Sequence, residues 1–380
     1  MQWESNARSN AFQLTESNKN CESQMFFYWL LFLVPAYFLI GKVQNGAKTS
    51  RLEWQLFWVL LVILIGLRNE VGCDWFPYLE GLEQSKDIGW GQIFSSRNDP
   101  GHILISWLSI ALGTNEYGVN LIYAGIFSFG LIKLSIVQPN PWLAILVATP
   151  YLVIVVAMGY TRQAAAIGFL MYGFTYLINK RVLIYLVLVL FAGLIHKTAF
   201  VFVAFVFFLP GSSKIKSGLG VGLLIGMVGV AYLIEQADMF IFNYVTNTLD
   251  SGGAQIRTLM NLPPALILLA NWTKWGQNYK DRWIWGVFSL ISIACVPLVF
   301  IASTAVDRMA LYLITLQIVV WARFPILVNG HIERNSAIFI VALYYAVVQF
   351  VWLFYGTHTH CWVPYDNLLL PSFMRGVRSW

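Results

Sequence analysis

Charge is what this chain has least of. Of its 380 residues, 11% are Asp, Glu, Lys or Arg and 58% are hydrophobic, whereas water-soluble domains carry roughly 25% and about 45–50%. The polar surface is too small to cover such a particle in water, which excludes a cytosolic enzyme, a DNA-binding domain and a secreted disulfide scaffold. Cysteine is scarcer still. The four present have no CxxC spacing for zinc or redox chemistry and are too few for a framework. There is no GxxxxGK[ST] loop to couple the chain to ATP, no GxSxG, no HExxH and no cluster with metal-ligand spacing. A cleavable signal would need basic residues just ahead of the first apolar run, and Glu22 stands there instead. Glu4, Glu16 and Glu22 make 1–24 a polar N-terminal tail rather than a signal peptide or a span, with Met25 an alternative start.

What the chain does have is apolar runs almost without pause. A bilayer core of ~30 Å needs about 20 helical residues. Twelve segments qualify: 25–41, 51–67, 119–137, 141–158, 162–178, 182–195, 197–209, 218–235, 259–272, 283–302, 308–323 and 336–355. The expected fold is an all-α polytopic membrane protein, with the shorter 102–113 as a re-entrant or interfacial helix. A single membrane domain covers 25–355, followed by an outer tail at 356–380. Residues 182–209 also read as one long helix, but that would invert everything after it and put Lys214 and Lys216 outside. With twelve spans and the N-terminus outside, the overall +6 divides into +10 inside and −4 outside, as the positive-inside rule requires.

The same topology puts the isolated polar residues at helix ends on the outer side. Arg68 follows one span and Arg162 opens another. His196, the only histidine expected within the bundle, lies at the turn between two short helices. Asp307 and Arg308 open a late span, and His358 and His360 follow the last. An ionisable residue at membrane depth costs about 2.5–3.5 kcal/mol on insertion scales, so several on one face predict a polar outer cavity. Outer loops 68–101 and 236–258, the second carrying Gly252, Gly253 and Arg257, are placed to fold over it.

Each candidate has a bland alternative. Arg68, with Asp74 six residues on, is either a snorkelling anchor beside a solvated acid or part of a site. Arg162 in GYTRQAAAIG opens a helix whose small residues admit a ligand and whose dipole suits phosphate; otherwise it anchors. His196 in GLIHKTAF is a core histidine or a base, with Lys197 and Thr198 beside it. Arg308 pairs with Asp307 or binds substrate. Gly218, Gly222 and Gly226 read as close packing, and Trp272, Trp275, Trp283 and Trp285 as an aromatic belt. Together the arginines, Asp74 and His196 fit transfer from a lipid-linked diphosphate to an alcohol, because guanidinium forks grip phosphate and a leaving diphosphate needs its charge stabilised. A lipid-oligosaccharide flippase and a membrane O-acyltransferase with His196 as base are the alternatives. Whether Cys73 and Cys361, both outside, form a disulfide stays open.

At these residues the chain resembles the Wzy/EpsG-type polysaccharide polymerases. LRNEVGCDWFPY resembles their arginine-then-VG(T)DxxxY element, TRQAAAIGF their RQ helix start and LIHKTAF their HKTA-like turn. DRMALY is similar to their late Arg-x-x-x-Tyr, and CWVPY to their aromatic-proline-tyrosine. Cys73 in place of threonine and the long tail 1–24 depart from the pattern. The resemblance implies a GT-C-like bundle with an outer-face cavity and a metal-independent O-antigen or exopolysaccharide polymerase of the bacterial inner membrane. Such an enzyme moves the growing glycan from undecaprenyl diphosphate to the non-reducing end of an incoming lipid-linked repeat unit on the periplasmic face. Carried over, His196 and Asp74 become catalytic candidates, and Arg162, Arg308, Arg68 and Arg257 bind the diphosphate. The implied partners are undecaprenyl-diphosphate-linked oligosaccharide, membrane lipid and a chain-length regulator protein, with no nucleic acid and no cofactor.

Overall fold

A computed structural model describes residues 25–41, 49–96, 98–208, 226–227, 253–328, 330 and 332–370. The expected tail 1–24, most of the expected span 218–235 and residues 236–252 of the loop 236–258 lie outside the described residues, as do Gly218 and Gly222 of the glycine stripe.

The described residues are helical and contain no strand, only an isolated antiparallel bridge between Arg68 and Asn367. In chain order the helices are α1 (Met25–Gly41), α2 (Arg51–Gly66), α3 (Trp75–Ser85), α4 (Pro100–Ala111), α5 (Asn115–Ile136) and α6 (Pro141–Ala157). Then come α7 (Thr161–Ile178), α8 (Val182–Ile195), a 3-10 helix (Lys197–Phe208), α9 (Ala254–Met260), α10 (Leu262–Ala270) and α11 (Trp272–Asn278). The last three are α12 (Arg282–Leu298), α13 (Ser303–Leu327) and α14 (Arg334–Tyr355). By length and composition α5, α13 and α14 are long and apolar enough to cross a membrane, and six described apolar helices are shorter.

The boundaries have local causes. Ser50 and Glu53 form a capping box that starts α2. Pro100 and Pro141 sit in the first turns of α4 and α6, where a missing N–H costs nothing. The second half of α6, Thr149–Ala157, widens into a π-helix next to Pro150, which cannot donate to the α ladder. His196 is extended (φ −147°, ψ 104°), so 182–209 is not one helix. The expected span 259–272 is broken instead: Pro263 and Pro264 interrupt the ladder after Asn261, and three short helices replace it.

Packing sets the helix directions. α5 and α7 are parallel, with Phe127 beside Gly168 and Phe129 against Tyr172. They touch at Gly130 and Gly168, where a Cβ on either would strike the other helix's backbone. α2 runs antiparallel to α5, with Gly66 against Leu121 and the Trp58 indole donating to the Gly125 carbonyl at 3.1 Å. The start of α7 and the ends of α2 and α8 therefore share one end of the bundle.

The opposite end corrects the belt reading of the tryptophans. Trp275 and Trp285 are fully buried and both donate to Asp281, at 3.4 and 2.8 Å. Arg323 grips the same carboxylate with two bonds of 2.8 and 2.6 Å and donates to Gln138 at 2.9 Å. Of the four, Trp283 is the exposed one. His196 is not the only histidine in the bundle either: His102 on α4 is buried, its Nδ1 2.8 Å from the Tyr123 hydroxyl.

Candidate active site

Helix ends build the site. Tyr160 (φ −105°, ψ 60°) breaks the chain between α6 and α7 and places Arg162 in the first turn of α7. Asp74 and Asp99 stand at the N-caps of α3 and α4, and His196 at the C-cap of α8. Arg308 and Tyr312 lie one turn apart near the start of α13. These ends converge on a cavity of about 160 Å³ lined by Asp74, Tyr78, Asp99, Tyr160, Arg162, Gln163, His196, Lys197, Thr198 and Arg308.

Two arginines and a lysine face two carboxylates there. Arg162 lies 3.6 Å from Asp99 and covers the Tyr78 ring at 5.5 Å; Arg308 covers Tyr160 at 5.1 Å. Gln163 ties the two arginine-bearing helices together by donating to the Arg308 carbonyl at 2.7 Å. The Thr198 hydroxyl is 2.8 Å from His196 Nδ1 and 2.9 Å from the Tyr312 hydroxyl, which itself lies 3.4 Å from that nitrogen. This cluster fixes the imidazole plane and occupies one ring nitrogen.

Environment separates the two candidate bases. Burial raises the Asp74 carboxyl above the usual carboxylate range, with Arg308 and then Arg162 pulling the other way. Burial, followed by Arg162, Arg308 and Lys197, holds His196 well below the usual imidazole range.

The disulfide between Cys73 and Cys361, left open by the sequence, is formed, with the Cα atoms 5.0 Å apart. It joins the residue before Asp74 to the segment after α14. Gly72, which donates to the Cys361 carbonyl at 2.8 Å, has φ +100° and no room for a Cβ against Met158.

Of the six sequence candidates, Asp74, Arg162, His196 and Arg308 meet at the cavity; Arg68 and Arg257 do not line it. Arg68 is buried and donates to the carbonyls of Val71, Met158 and Ile65 and to Asn120. It staples loop and helix ends together and does not reach the cavity. Arg257 pairs with Asp307 and donates to the Tyr151 hydroxyl at 2.9 Å. Asp99 and Tyr78 were missed. An acid directly before Pro-Gly at the head of an apolar helix was the available signal for Asp99, and the loop reading of 68–101 hid α3 and its Tyr78.

No curated protein and no solved structure matches the chain. A family model does match, over residues 52–367, which takes in every residue lining the cavity as well as both disulfide cysteines. With most of its length covered by that model, this membrane protein belongs to the EpsG family.

Proposed function

We propose that the chain is a polysaccharide polymerase that elongates a glycan carried on a polyprenyl diphosphate, such as undecaprenyl diphosphate, at the outer face of a bacterial inner membrane. The observation that carries this reading is the pair Arg162 and Arg308 on one cavity with Asp74. Two guanidinium groups match the oxygens of a diphosphate and stay charged in a low-dielectric setting. Family membership supports the polymerase class.

In the proposed step, an acceptor hydroxyl oxygen attacks the anomeric carbon of the growing glycan. The bond from that carbon to the diphosphate oxygen breaks, and the diphosphate leaves with the electron pair. Arg162 and Arg308 stabilise its developing charge, the kind of contribution whose removal costs about 10²–10³ in rate. The hydroxyl proton passes to Asp74. Burial makes this carboxylate a stronger base than an ordinary one, whereas it makes His196 a weaker base than an ordinary imidazole. His196, steadied by Thr198 and Tyr312, then orients the acceptor. At about 160 Å³ the cavity is smaller than the ~300–1,000 Å³ of common ligand pockets; it suits the diphosphate and anomeric centre, with most of the glycan outside.

The test is elongation by the purified full-length protein supplied with a polyprenyl-diphosphate-linked repeat unit and no membrane gradient. Long chains are expected from the native protein and none from Arg162→Ala that remains folded in the membrane. Chain-length ladders of native intensity from that variant would overturn the assignment, and so would transport without elongation.

A further inference from the structure

A second binding site lies at the other end of the same helices. Thr49, Arg51, Trp54, Gln55, Trp58, Phe129, Ile132, Lys133 and Ile136 line a groove of about 550 Å³ between the start of α2 and the end of α5. Lys133 is thirteen residues along α5 from Asn120, which holds Arg68 at the cavity end. At 1.5 Å per residue the groove lies roughly 20 Å below that level.

We propose that this groove binds one anionic phospholipid of the bilayer, its phosphate between Arg51 and Lys133 and an acyl chain along the aromatic wall. Three observations fix the occupant's chemistry. Among the described residues the lining includes two cations and no acid. Glu53, the nearest acid in sequence, has its carboxylate in the capping box with Ser50. Thr49 adds a hydroxyl whose oxygen already accepts the Trp142 indole N–H at 2.8 Å, leaving its proton to donate to an anion. The remainder is apolar and held in place: Trp54 stacks on Trp142 at 4.4 Å, Trp58 is tied to Gly125, and Lys133 crosses the Phe129 ring at 5.0 Å. A preformed groove that is cationic at one end and aromatic along its length is complementary to a charged amphiphile. A snorkelling lysine alone would need no such cleft. The site does not depend on the polymerase reading, only on the membrane setting.

The experiment uses the purified full-length protein in detergent, titrated with phosphatidylglycerol or with phosphatidylcholine of matched chains while thermal unfolding is followed. Phosphatidylglycerol is expected to raise the midpoint saturably and phosphatidylcholine to leave it in place. In the Arg51→Gln/Lys133→Gln variant the half-saturating concentration should rise roughly tenfold or more, as loss of two charge-assisted contacts implies. Ile136→Trp, which fills the groove without touching charge, should abolish the response. Equal responses to the two lipids, or a native response in either variant, would overturn the proposal. So would displacement of phosphatidylglycerol by equimolar polyprenyl diphosphate, which would assign the groove to the carrier.

Discussion

Both ends of this bundle gather arginine, aspartate and aromatic rings, yet they are built to opposite purposes. At one end Arg323 and Asp281 meet in a fully closed cluster. Two bonds join them, Gln138 takes the Nε–H, two indoles complete the carboxylate, and Trp275 and Tyr279 cover the guanidinium at 4.9 and 3.9 Å. At the other end Arg162 and Asp99 stand 3.6 Å apart, every lining residue carries a polar group, and a cavity lies among them. A charge whose neighbours fill every direction is holding the fold together. One arranged around empty volume is available to a ligand. Residue type does not separate the two cases; how completely the neighbours enclose the charge does.

The largest expected effect breaks the closed cluster. Arg323→Ala leaves the Asp281 carboxylate buried against two indoles and should destabilise the protein by about 3–5 kcal/mol. A purified variant unfolding at the native temperature would show that enclosure is the wrong criterion. The matching change at the open end, Arg162→Ala, should leave the midpoint within a few degrees. It should still lower elongation by about 10²–10³-fold, as loss of a charge-stabilising donor does. The contrast fails if the two variants exchange phenotypes. Arg308→Lys is a sharper probe, because it keeps the charge and loses the fork. A fall of about tenfold, smaller than for Arg308→Ala, would show that geometry as well as charge binds the diphosphate.

Asp74 gives the comparison a pH dependence. As the base it must be deprotonated, and burial holds its carboxyl above the ordinary range. Elongation should therefore rise with pH along an acidic limb displaced upward from that of a solvated carboxylate. Asp74→Asn should remove both the limb and most of the rate. Removing either arginine takes away a cation that lowers this acidity range, so in Arg308→Lys, where a cation remains, the limb should move least. A limb that persists in Asp74→Asn would transfer the base to Asp99 or His196.

The same distinction explains what the sequence revealed. Arg162, Arg308, His196 and Asp74 were legible because each stands nearly alone at the end of an apolar run, and an ionisable group placed there needs a reason. Arg68 and Arg257 carried that signal equally well. Nothing in LRNEVG announces that the carbonyls of Ile65, Val71 and Met158 take up the guanidinium, the last from 90 residues away. Tyr151 and Asp307 claim Arg257 from 106 and 50 residues away. Trp275 and Trp285 looked like interfacial anchors because hydropathy registers composition and not the buried aspartate they share. Helix positions were readable from apolar run length at most places and failed at 259–272, where two consecutive prolines outweigh the run.

The smallest effect expected is that of Cys73→Ser, and it tests how the open end stays open. The disulfide closes a loop with a sequence separation of 288 residues, and in the chain-entropy account such a loop is worth several kcal/mol, roughly 5 or more. That account presumes an unfolded chain free to expand. Here apolar helices retained in lipid already restrict it, so the loss of stability should be well below that figure. The tethered segment also has independent attachments: Gly72 N–H to the Cys361 carbonyl, Asn69 to Asp366 at 2.8 Å, and Trp362 Nε1 to the Ile154 carbonyl at 3.0 Å. A variant that loses the non-reducing gel shift but keeps elongation within a few-fold of native would show these bonds suffice to place Asp74. A loss as deep as that of Asp74→Asn would instead make the disulfide part of the positioning of the base, and the open end would then depend on a covalent tether that the closed end does without.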